Sequence, residues 1–400
     1  MITVEQATNI ILSHQIDFGT ETISIERSHG RVLRTSVRAD RDLPPFNRST
    51  RDGIAINYKA FEQGTKSFLV EGLAAAGSAQ QKLSSVTACL EIMTGAALPL
   101  GTDTIIQYED VIIENDVAHL KVEAIGKGQN VHYQGSDRVK ASTLIAAGQR
   151  IGAAEIGVAA SVGCTHLEVS RTPQVAIITT GDELVDIEEI PLAYQIRKSN
   201  NYQLSAALQG LNIRTDFFHL KDDLKKVTQT LAQVINDYDV LILSGGVSKG
   251  KFDFVPKAME DLKVENHFHK VKQRPGKPMW FGTHAVHRAT IFALPGNPVS
   301  SFMCLQRYLL PWLRQSLGLK TSTAQCAILQ SDIHFQPNLT YFAQVRTATN
   351  EKGQFCAYPV EGNGSGDFAN LVDANGFLEL PIGKNRYKAG SVFRFWRYAV

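Results

Sequence analysis

Residues 239–256, DVLILSGGVSKGKFDFVP, constrain the fold of this 400-residue chain more than any other stretch. An apolar run over 240–243 stops abruptly at Ser244, Gly245 and Gly246. A short apolar run between turn-forming residues predicts a strand that is covered on both faces, as in a parallel sheet. Paired glycines let a ligand approach the backbone, and exposed N–H groups there suit an anion. A plain strand-to-helix turn explains the same residues, so other stretches must decide between the two.

Bulk composition narrows the class of protein. Four hundred residues exceed one compact core, and we expect about two to four domains. The hydrophobic content of 44% and the charged content of 20% are typical of a soluble globular protein. A net charge of +2 gives no global attraction to nucleic acid or to a membrane. No apolar run reaches the ~18 residues of a membrane span, and the N-terminus lacks the basic segment of a secretory signal.

Cysteines and histidines give little support for a metal site. The five cysteines are scattered and lack CxxC spacing, which is typical of reduced cytoplasmic thiols rather than of disulfides or a zinc site. His267 and His269 lie two apart on a predicted strand and are expected to share one face. No cysteine or third histidine lies near them in the sequence, so a partly exposed strand pair is favoured over a pair of metal ligands.

The N-terminal part predicts a helix, a β-rich region and a second helix. Apolar positions at helical spacing predict a helix over residues 4–15, and strand-like sequence follows over 22–39. Residues 66–125 alternate short β-type runs with Gly and Pro, which predicts a small, mostly β domain. Residues 152–163 predict a helix of small residues that ends at Gly163.

From Pro173 onwards strands alternate with helices, which predicts a doubly wound parallel sheet. Ser199 and Asn200 are expected to cap a helix, and Pro311 is expected to kink or break another. In such sheets ligands bind beyond the carboxyl ends of the strands, so the loops that follow strands should gather at one edge. The predicted strands cover 175–178, 213–218, 240–243, 265–273 and 290–294, and the predicted helices cover 201–211, 224–236 and 298 to about 317.

The C-terminal part loses this alternation. Residues 324–400 contain only short β runs and predict a small β-barrel or sandwich. A Gly-rich loop, GNGSGDFANL over 362–371, interrupts them. Taken together, the patterns predict an α/β multidomain protein.

Seven loop motifs, taken in order, resemble one known family. They are NRSTRDGIA, MTGAALPLGTD, TTGDEL, SNNYQLSAAL, SGGVSKGKFDF, RPGKPMWFG and LPGNPVSSF. Their order and spacing resemble the molybdopterin molybdenumtransferase family, which includes bacterial MoeA and the E domain of gephyrin. The resemblance covers nearly the whole chain. It implies insertion of molybdate into adenylyl-molybdopterin with release of AMP, dependent on Mg²⁺, in the cytoplasm.

The resemblance also implies a domain plan and partners. It implies a homodimer with a site completed by the partner subunit, and contact with the adenylyltransferase and with cofactor-accepting enzymes. No nucleic acid or membrane partner is implied. The four implied domains are a discontinuous linker domain (1–40 and 140–172), an inserted mostly-β domain (41–139), a doubly wound α/β molybdopterin-binding domain (173–321) and a C-terminal β-barrel (322–400).

The same resemblance assigns roles to individual residues. Lys277 is held between two prolines, which suits a fixed point charge against an oxyanion. Mg²⁺ would be held by Asp182, Glu183 and Asp253, with phosphate oxygens completing an octahedron. A helix cap or a surface ion pair remains an alternative for each of these acids, and a plain turn remains an alternative for Thr94. The implied catalytic residues are Asp52, Asp182, Glu183, Asp253 and Lys277. The implied substrate-binding residues are Thr94, Asp137, Asp222, Ser244, Gly245, Gly246, Ser248, Arg274, Pro278, Asn297, Pro298, Ser300 and Ser365.

The chain departs from the family pattern at four places, and one of them, Arg274 in place of the lysine before Pro-Gly-Lys-Pro, keeps the charge. Arg51 and Ile54 stand where the family has methionine and tyrosine, residues 133–137 lack the usual two arginines and glutamate, and residues 341–344 replace Glu-Phe-x-Arg. These departures leave open a second hypothesis, a molybdopterin-binding carrier or scaffold without the chemistry. A third hypothesis is an unrelated doubly wound nucleotide enzyme, but no GxxxxGK[ST] or GxGxxG sequence supports it.

Overall fold

A computed structural model of the protein describes residues 1–221, 223–247, 254–320 and 324–398. The chain forms two compact units and crosses between them four times. The main unit consists of residues 1–34, 148–152 and 166–400, and the inserted unit consists of residues 35–147 and 153–165.

The main unit opens with the predicted N-terminal helix, which covers Val4–Ser13. The Thr3 side chain accepts a hydrogen bond from the Gln6 backbone N–H, while the Gln6 side chain accepts one from the Thr3 N–H. This reciprocal capping box satisfies two backbone donors that would otherwise be unpaired at the helix start. After the helix, Thr20–Ser24 pairs antiparallel with His166–Ser170.

A six-stranded sheet forms the centre of the main unit, and its first four strands are parallel. The fifth strand runs antiparallel to the fourth, and the sixth antiparallel to the fifth. The strands lie in the order Thr215–Leu220, Val175–Thr180, Val240–Ser244, Ala289–Leu294, Trp280–His284 and Glu265–His269.

This sheet confirms the predicted parallel core and corrects its edge. The strand Trp280–His284 was not predicted. The single strand expected over 265–273 is wrong, because Lys270 adopts φ 75° and ends the strand Glu265–His269. The chain then forms the separate short strand Gln273–Arg274.

Both faces of the central sheet are buried under helices. Val175 and Ile177 face the cluster that contains the N-terminal helix and the helix Ser199–Gln209. Their neighbours Ala176 and Ile178 face the opposite cluster, with the helices Leu224–Asp237 and Val255–Asp261. Alternate residues of one strand thus enter two cores, which explains the nearly continuous apolar sequence of these strands.

The last helical stretch of the main unit contains a π-helical turn. Pro298–Cys304 and Leu310–Ser316 are α-helical, and Leu305–Leu309 between them is π-helical. The Leu310 N–H donates to the Leu305 carbonyl, five residues back. Pro311 has no N–H to donate and its ring crowds the preceding turn, so a wider turn directly before it relieves the clash. The interruption expected at Pro311 is therefore a π turn within a continuing helix.

The C-terminal part is a closed β-barrel, which decides between the barrel and the sandwich. The ring closes because the strand Thr340–Thr349 pairs with the strand Gly376–Leu380, so none of its strands has a free edge. The order around the ring is Thr340–Thr349, Phe355–Pro359, Cys326–Leu329, Val392–Arg397 and Gly376–Leu380. Gln273–Arg274 pairs with Thr340–Thr349, and Ile333–His334 pairs with Arg386–Tyr387 outside the ring.

The inserted unit is mostly β, as predicted. Short pairs join Arg48–Ser49 to Val131–His132 and Val37–Arg38 to Thr143–Ile145, and the helices are Tyr58–Glu62 and Ala153–Ser161. Its six-stranded sheet has the order Thr104–Gln107, Gly53–Ile56, Ala88–Ile92, Ser67–Ala74, Val117–Leu120 and Val111–Glu114. Across the described ranges of both units, no helix has the length and apolar content to cross a membrane.

Candidate functional site

Loops that follow three parallel strands meet at one edge of the central sheet. Thr180 and Gly181, then Gly245 and Gly246, and then Gly296 line one cavity of about 340 Å³. The gathering of these loops at a single edge was predicted from the strand order and is confirmed. The cavity lies beyond the carboxyl ends of the strands, where ligands bind in sheets of this type.

The two glycines after the third parallel strand are required by close packing. Gly245 has φ 99° and Gly246 has φ 68°. A Cβ added at either residue would lie 3.0 or 2.9 Å from the Thr180 Oγ1. The Gly245 N–H donates to the Leu294 carbonyl over 3.2 Å, so this N–H holds the loop to the next strand. This N–H is therefore not one of the exposed donors that the paired glycines were expected to offer an anion.

Asn200 ties two of the cavity loops together. Its Nδ2 donates to the Ser244 Oγ and to the Gly296 carbonyl, both over 2.8 Å, and the residue is 9% exposed. The predicted cap formed by Ser199 and Asn200 is therefore wrong. The helix begins at Ser199 itself, and Lys198 precedes it without a side-chain cap. Tertiary partners take the Asn200 amide that local sequence assigns to the helix end.

The acidic side of the cavity comes from the TGDEL loop. Glu183 lines the cavity, and Asp182 is exposed beside it. Gly181 has φ 133°, and a Cβ there would meet the Glu183 Oε2 at 2.5 Å. The missing side chain thus leaves a cradle that holds the carboxylate. Two adjacent carboxylates fit part of a Mg²⁺ ligand set. The described residues contain no group of three or more His, Cys, Asp or Glu that would form a complete metal site.

The basic side of the cavity comes from residues that sequence reasoning missed. Arg197 and Lys198 line it, at the end of a short parallel pair formed by Leu184–Val185 and Ile196–Arg197. The signal in the sequence was two adjacent cations just before a helix at the ligand edge of the sheet. Lys198 also acts on His219, whose pKa is lowered by burial and then by the nearby lysine charge.

Lys277 and Arg274 are exposed on a loop with a buried support. The Gln273 side chain donates to the Gly276 carbonyl over 2.9 Å and accepts from the Tyr308 hydroxyl. Gly276 has φ 85° and packs against the helix below, where a Cβ would meet the Cys304 sulfur at 2.7 Å. The loop is therefore well placed to hold two cations in fixed positions.

The remaining predicted residues of the main unit lie at different depths. Asn297 and Pro298 line the cavity. The Asn297 Nδ2 donates to the Ser365 Oγ over 2.8 Å, which joins the cavity to the Gly-rich barrel loop. Ser300 is buried in the first turn of the following helix, and Pro278 is partly buried. The predicted residues Asp222, Ser248 and Asp253 lie outside the described residues.

The inserted unit brings its own predicted residues together. Asp52 accepts hydrogen bonds from the Thr94 N–H over 2.6 Å and from the Thr94 Oγ1 over 2.7 Å. These two bonds lower the pKa of Asp52. Asp137 lies 2.9 Å from the His132 Nε2, and the Arg48 guanidinium lies 3.3 Å from the His132 Nδ1. Since arginine can only donate, the neutral tautomer of His132 that fits carries its proton on Nε2.

The expectation that His267 and His269 share a face is wrong. His267 stacks on His14, with ring centroids 3.9 Å apart, and lies near Phe281. His269 instead contacts the Val247 carbonyl at 3.0 Å, and Val247 belongs to the core on the opposite face. A β-bulge in this strand shifts the register and breaks the alternation of its side chains.

Comparison with known proteins gives matches along almost the whole chain. A Synechocystis protein named molybdopterin molybdenumtransferase is 38% identical over 400 residues, which is 100% of both chains. A Staphylococcus epidermidis protein of the same name is 28% identical and covers 98% of this chain and 94% of its own. A crystal structure of a molybdopterin biosynthesis MoeA protein from Pyrococcus horikoshii has a TM-score of 0.84, with 27% identity over 100% of this chain and 99% of that one.

Three family models also match, one after another. They are described as the MoeA N-terminal region (domain I and II), over residues 2–163, a probable molybdopterin binding domain, over 176–315, and the MoeA C-terminal region (domain IV), over 326–398.

An α/β domain with a cleft at its ligand edge, an inserted β sheet and a closed barrel together define a class of multidomain enzymes of molybdopterin biosynthesis. The full-length relative and the consecutive family models narrow the class further. The chain belongs to the MoeA family of molybdopterin molybdenumtransferases. The resemblance read from the seven loop motifs is thereby confirmed.

Proposed function

We propose that this protein inserts molybdate into adenylyl-molybdopterin and releases AMP in molybdenum cofactor biosynthesis. The observation that supports this most directly is the cavity at the sheet edge, which combines the Glu183 carboxylate with Arg197 and Lys198. A substrate with phosphate groups needs cations and positioned hydrogen-bond donors, and a carboxylate at the same site can hold the Mg²⁺ that neutralises phosphate charge.

Some residues of the cavity bind the substrate, and others hold the surrounding loops in position. Arg197 and Lys198 supply positive charge for the phosphates of the substrate. Asn200 keeps the loops around Ser244 and Gly296 at a fixed separation, so the cavity keeps its shape without substrate. Preformed polar groups lose little free energy on reorganisation when substrate binds.

Molybdate and the metal ion would use the remaining predicted residues. Lys277 and Arg274 are the cations proposed to attract molybdate, on the loop that Gln273 supports. Asp182 and Glu183, together with Asp253, would hold Mg²⁺, which when bound neutralises the charge of the phosphates. The cradle at Gly181 holds the Glu183 carboxylate at the cavity wall in advance.

The assembly and location belong to the same proposal. We propose a cytoplasmic homodimer in which the partner subunit completes each site, with Asp52, Thr94 and Asp137 contributing from the inserted unit. We also propose a division of the chain into four domains, with boundaries near residues 40, 140, 172 and 322. Contact with the adenylyltransferase that supplies the substrate and with cofactor-accepting enzymes is part of the same proposal.

The direct test is release of AMP by the purified protein. Wild-type protein with adenylyl-molybdopterin, molybdate and Mg²⁺ is expected to release AMP, and Glu183→Gln to release it at least ~100-fold more slowly, as for other groups that act on transition-state charge. Glu188→Gln, an exposed acid in the following segment, is the matched control. Wild-type protein that binds molybdopterin without releasing AMP would instead support the carrier hypothesis. Equal rates for Glu183→Gln and wild type would remove Glu183 from the mechanism.

A further inference from the structure

We propose that Lys198 binds a phosphate of the substrate and that Asp186 competes with the substrate for this lysine. The inference rests on the proposed function, because it concerns the same cavity. It assigns Lys198 as a substrate-binding residue and Asp186 as a residue that tunes affinity.

Lys198 lies in the wall of the cavity, whereas its partner Asp186 is exposed to solvent. Lys198 lines the cavity, and its side chain is only 12% exposed. Its Nζ lies 2.9 Å from the Asp186 Oδ1, but the Asp186 side chain is 66% exposed. One partner thus belongs to the ligand cavity, while the other lies at the water boundary, where an ion pair is weak and screened.

The backbone around the pair stays in place without it. The Ile196 N–H donates to the Glu183 carbonyl over 2.9 Å, and the Lys198 N–H donates to the Val185 carbonyl over 3.0 Å. The Arg197 Nε donates to the Glu189 carbonyl over 3.2 Å. Rotation of the Asp186 side chain away from Lys198 breaks none of these bonds. The lysine can therefore exchange its partner without movement of the strands that position it.

Charge favours the exchange once a phosphate enters. A phosphate carries close to two negative charges and three acceptor oxygens, against one charge and two oxygens for a carboxylate. The Lys198 ammonium has three donors and suits a phosphate as a point charge. Burial and then the Lys198 charge lower the pKa of His219, which lies beside Thr179 at the sheet edge. A phosphate at this edge would meet the same charge.

The proposal predicts opposite effects for the two partners, which a purely structural ion pair does not. With molybdopterin as the probe and calorimetry as the readout, Lys198→Gln is expected to raise Kd roughly tenfold, the usual effect of losing a charge-assisted hydrogen bond. Asp186→Asn is expected to lower Kd about two- to fivefold, as an exposed competitor is removed. Lys198→Arg, which keeps the charge, is expected to bind within about threefold of wild type.

Controls separate this inference from the proposed function. Glu188→Gln removes the same charge from the same segment and is expected to bind like wild type. Thermal unfolding of each variant shows whether the fold is intact. If wild type releases AMP normally but Asp186→Asn binds molybdopterin no more tightly than wild type, this inference fails and the proposed function stands. If wild type neither binds molybdopterin nor releases AMP, the proposed function fails, and this inference with it.

Discussion

At the scale of single residues, the Asp52 carboxylate is held ionised by one neighbour. Thr94 supplies both hydrogen bonds, one from its backbone and one from its hydroxyl. Hydrogen bonds to the charged form favour ionisation, so the pKa of Asp52 lies below its usual range. Stability linked to this group is present above the unfolded pKa and is lost as the pH falls through the lowered folded pKa.

The first prediction concerns Thr94→Val. This change removes the hydroxyl donor but keeps the backbone donor, so the pKa of Asp52 is expected to rise part of the way to its ordinary value. Carboxyl ¹³C NMR of Asp52 against pH measures the change. The control is Thr87→Val, whose hydroxyl contacts Ser85 instead. An Asp52 that titrates identically in Thr94→Val and wild type would contradict the assignment of the hydroxyl bond.

At the scale of elements, one buried ion pair joins the π-helical turn to the barrel. Arg307 is 3% exposed, and its Nε donates to the Glu379 Oε2 over 3.0 Å. The Trp396 Nε1 donates to the same oxygen over 2.7 Å, and the guanidinium lies 4.5 Å from the Trp396 ring centroid. The pair therefore connects the last helix of the α/β part with two strands of the barrel.

The second prediction is that Arg307→Met lowers the free energy of unfolding by about 3 kcal/mol, because it leaves the Glu379 carboxylate largely buried and without its cation. Urea unfolding measures the loss. The matched control is Arg386→Met, which breaks an exposed pair with Asp332 and is expected to cost less than about 1 kcal/mol. Similar losses for the two variants would show that the burial of the Arg307 pair has no special effect.

The third prediction concerns the contact between the N-terminal helix and the edge strand. Burial and the adjacent His14 lower the pKa of His267, while Glu265 opposes the shift. A histidine with a lowered folded pKa leaves stability unchanged above the unfolded pKa of about 6.5 and reduces it as the pH falls through the folded value. His267→Gln is therefore expected to lose less stability than wild type between about pH 7.5 and 5.5.

Urea unfolding at the two pH values measures this difference, and His29→Gln, an exposed histidine, is the control. The result that counts against the interpretation is an identical pH dependence for wild type and His267→Gln.

Elements with local signals could be predicted from the sequence. The helix Leu224–Asp237 begins where Asp223 accepts bonds from the Lys225 and Lys226 N–H groups. That cap depends only on residues adjacent in the chain, so the start of this helix could be predicted from the sequence. The strand Trp280–His284 was missed because only its first two residues are large and apolar, although it forms a hairpin with the next strand, Ala289–Leu294.

Part of the candidate site could also be predicted from the sequence. Its glycines follow strands, and that order alone brought the loops to one edge. Asn200 could not be assigned, because its partners Ser244 and Gly296 are distant in the chain and only the fold brings them close. Lys198 was overlooked for the same reason, since its place in the cavity wall depends on the short parallel strand pair before it.

At the scale of the whole molecule, the proposed catalytic residues are assigned to different units. Asp52 belongs to the inserted unit and Glu183 to the main unit. The fourth prediction follows from the proposed dimer. Asp52→Asn and Glu183→Gln are each expected to be inactive alone, whereas their co-expression is expected to restore about a quarter of wild-type AMP release, because half of the dimers are hybrids with one intact site. Light scattering tests whether the preparations are dimeric. Hybrid dimers with no AMP release would show that each site is built from one chain.

The pairing of Thr20–Ser24 with His166–Ser170 sets an order of events on the ribosome. Thr20 lies opposite Ser170, which is synthesised 150 residues later (170 minus 20). At about 5–20 residues per second, the N-terminal strand waits roughly 8–30 s for its partner. Residues 35–147, the larger part of the inserted unit, emerge completely within that interval. Nascent chains therefore pass through a stage in which most of the inserted unit has been synthesised while the first strand still lacks its partner.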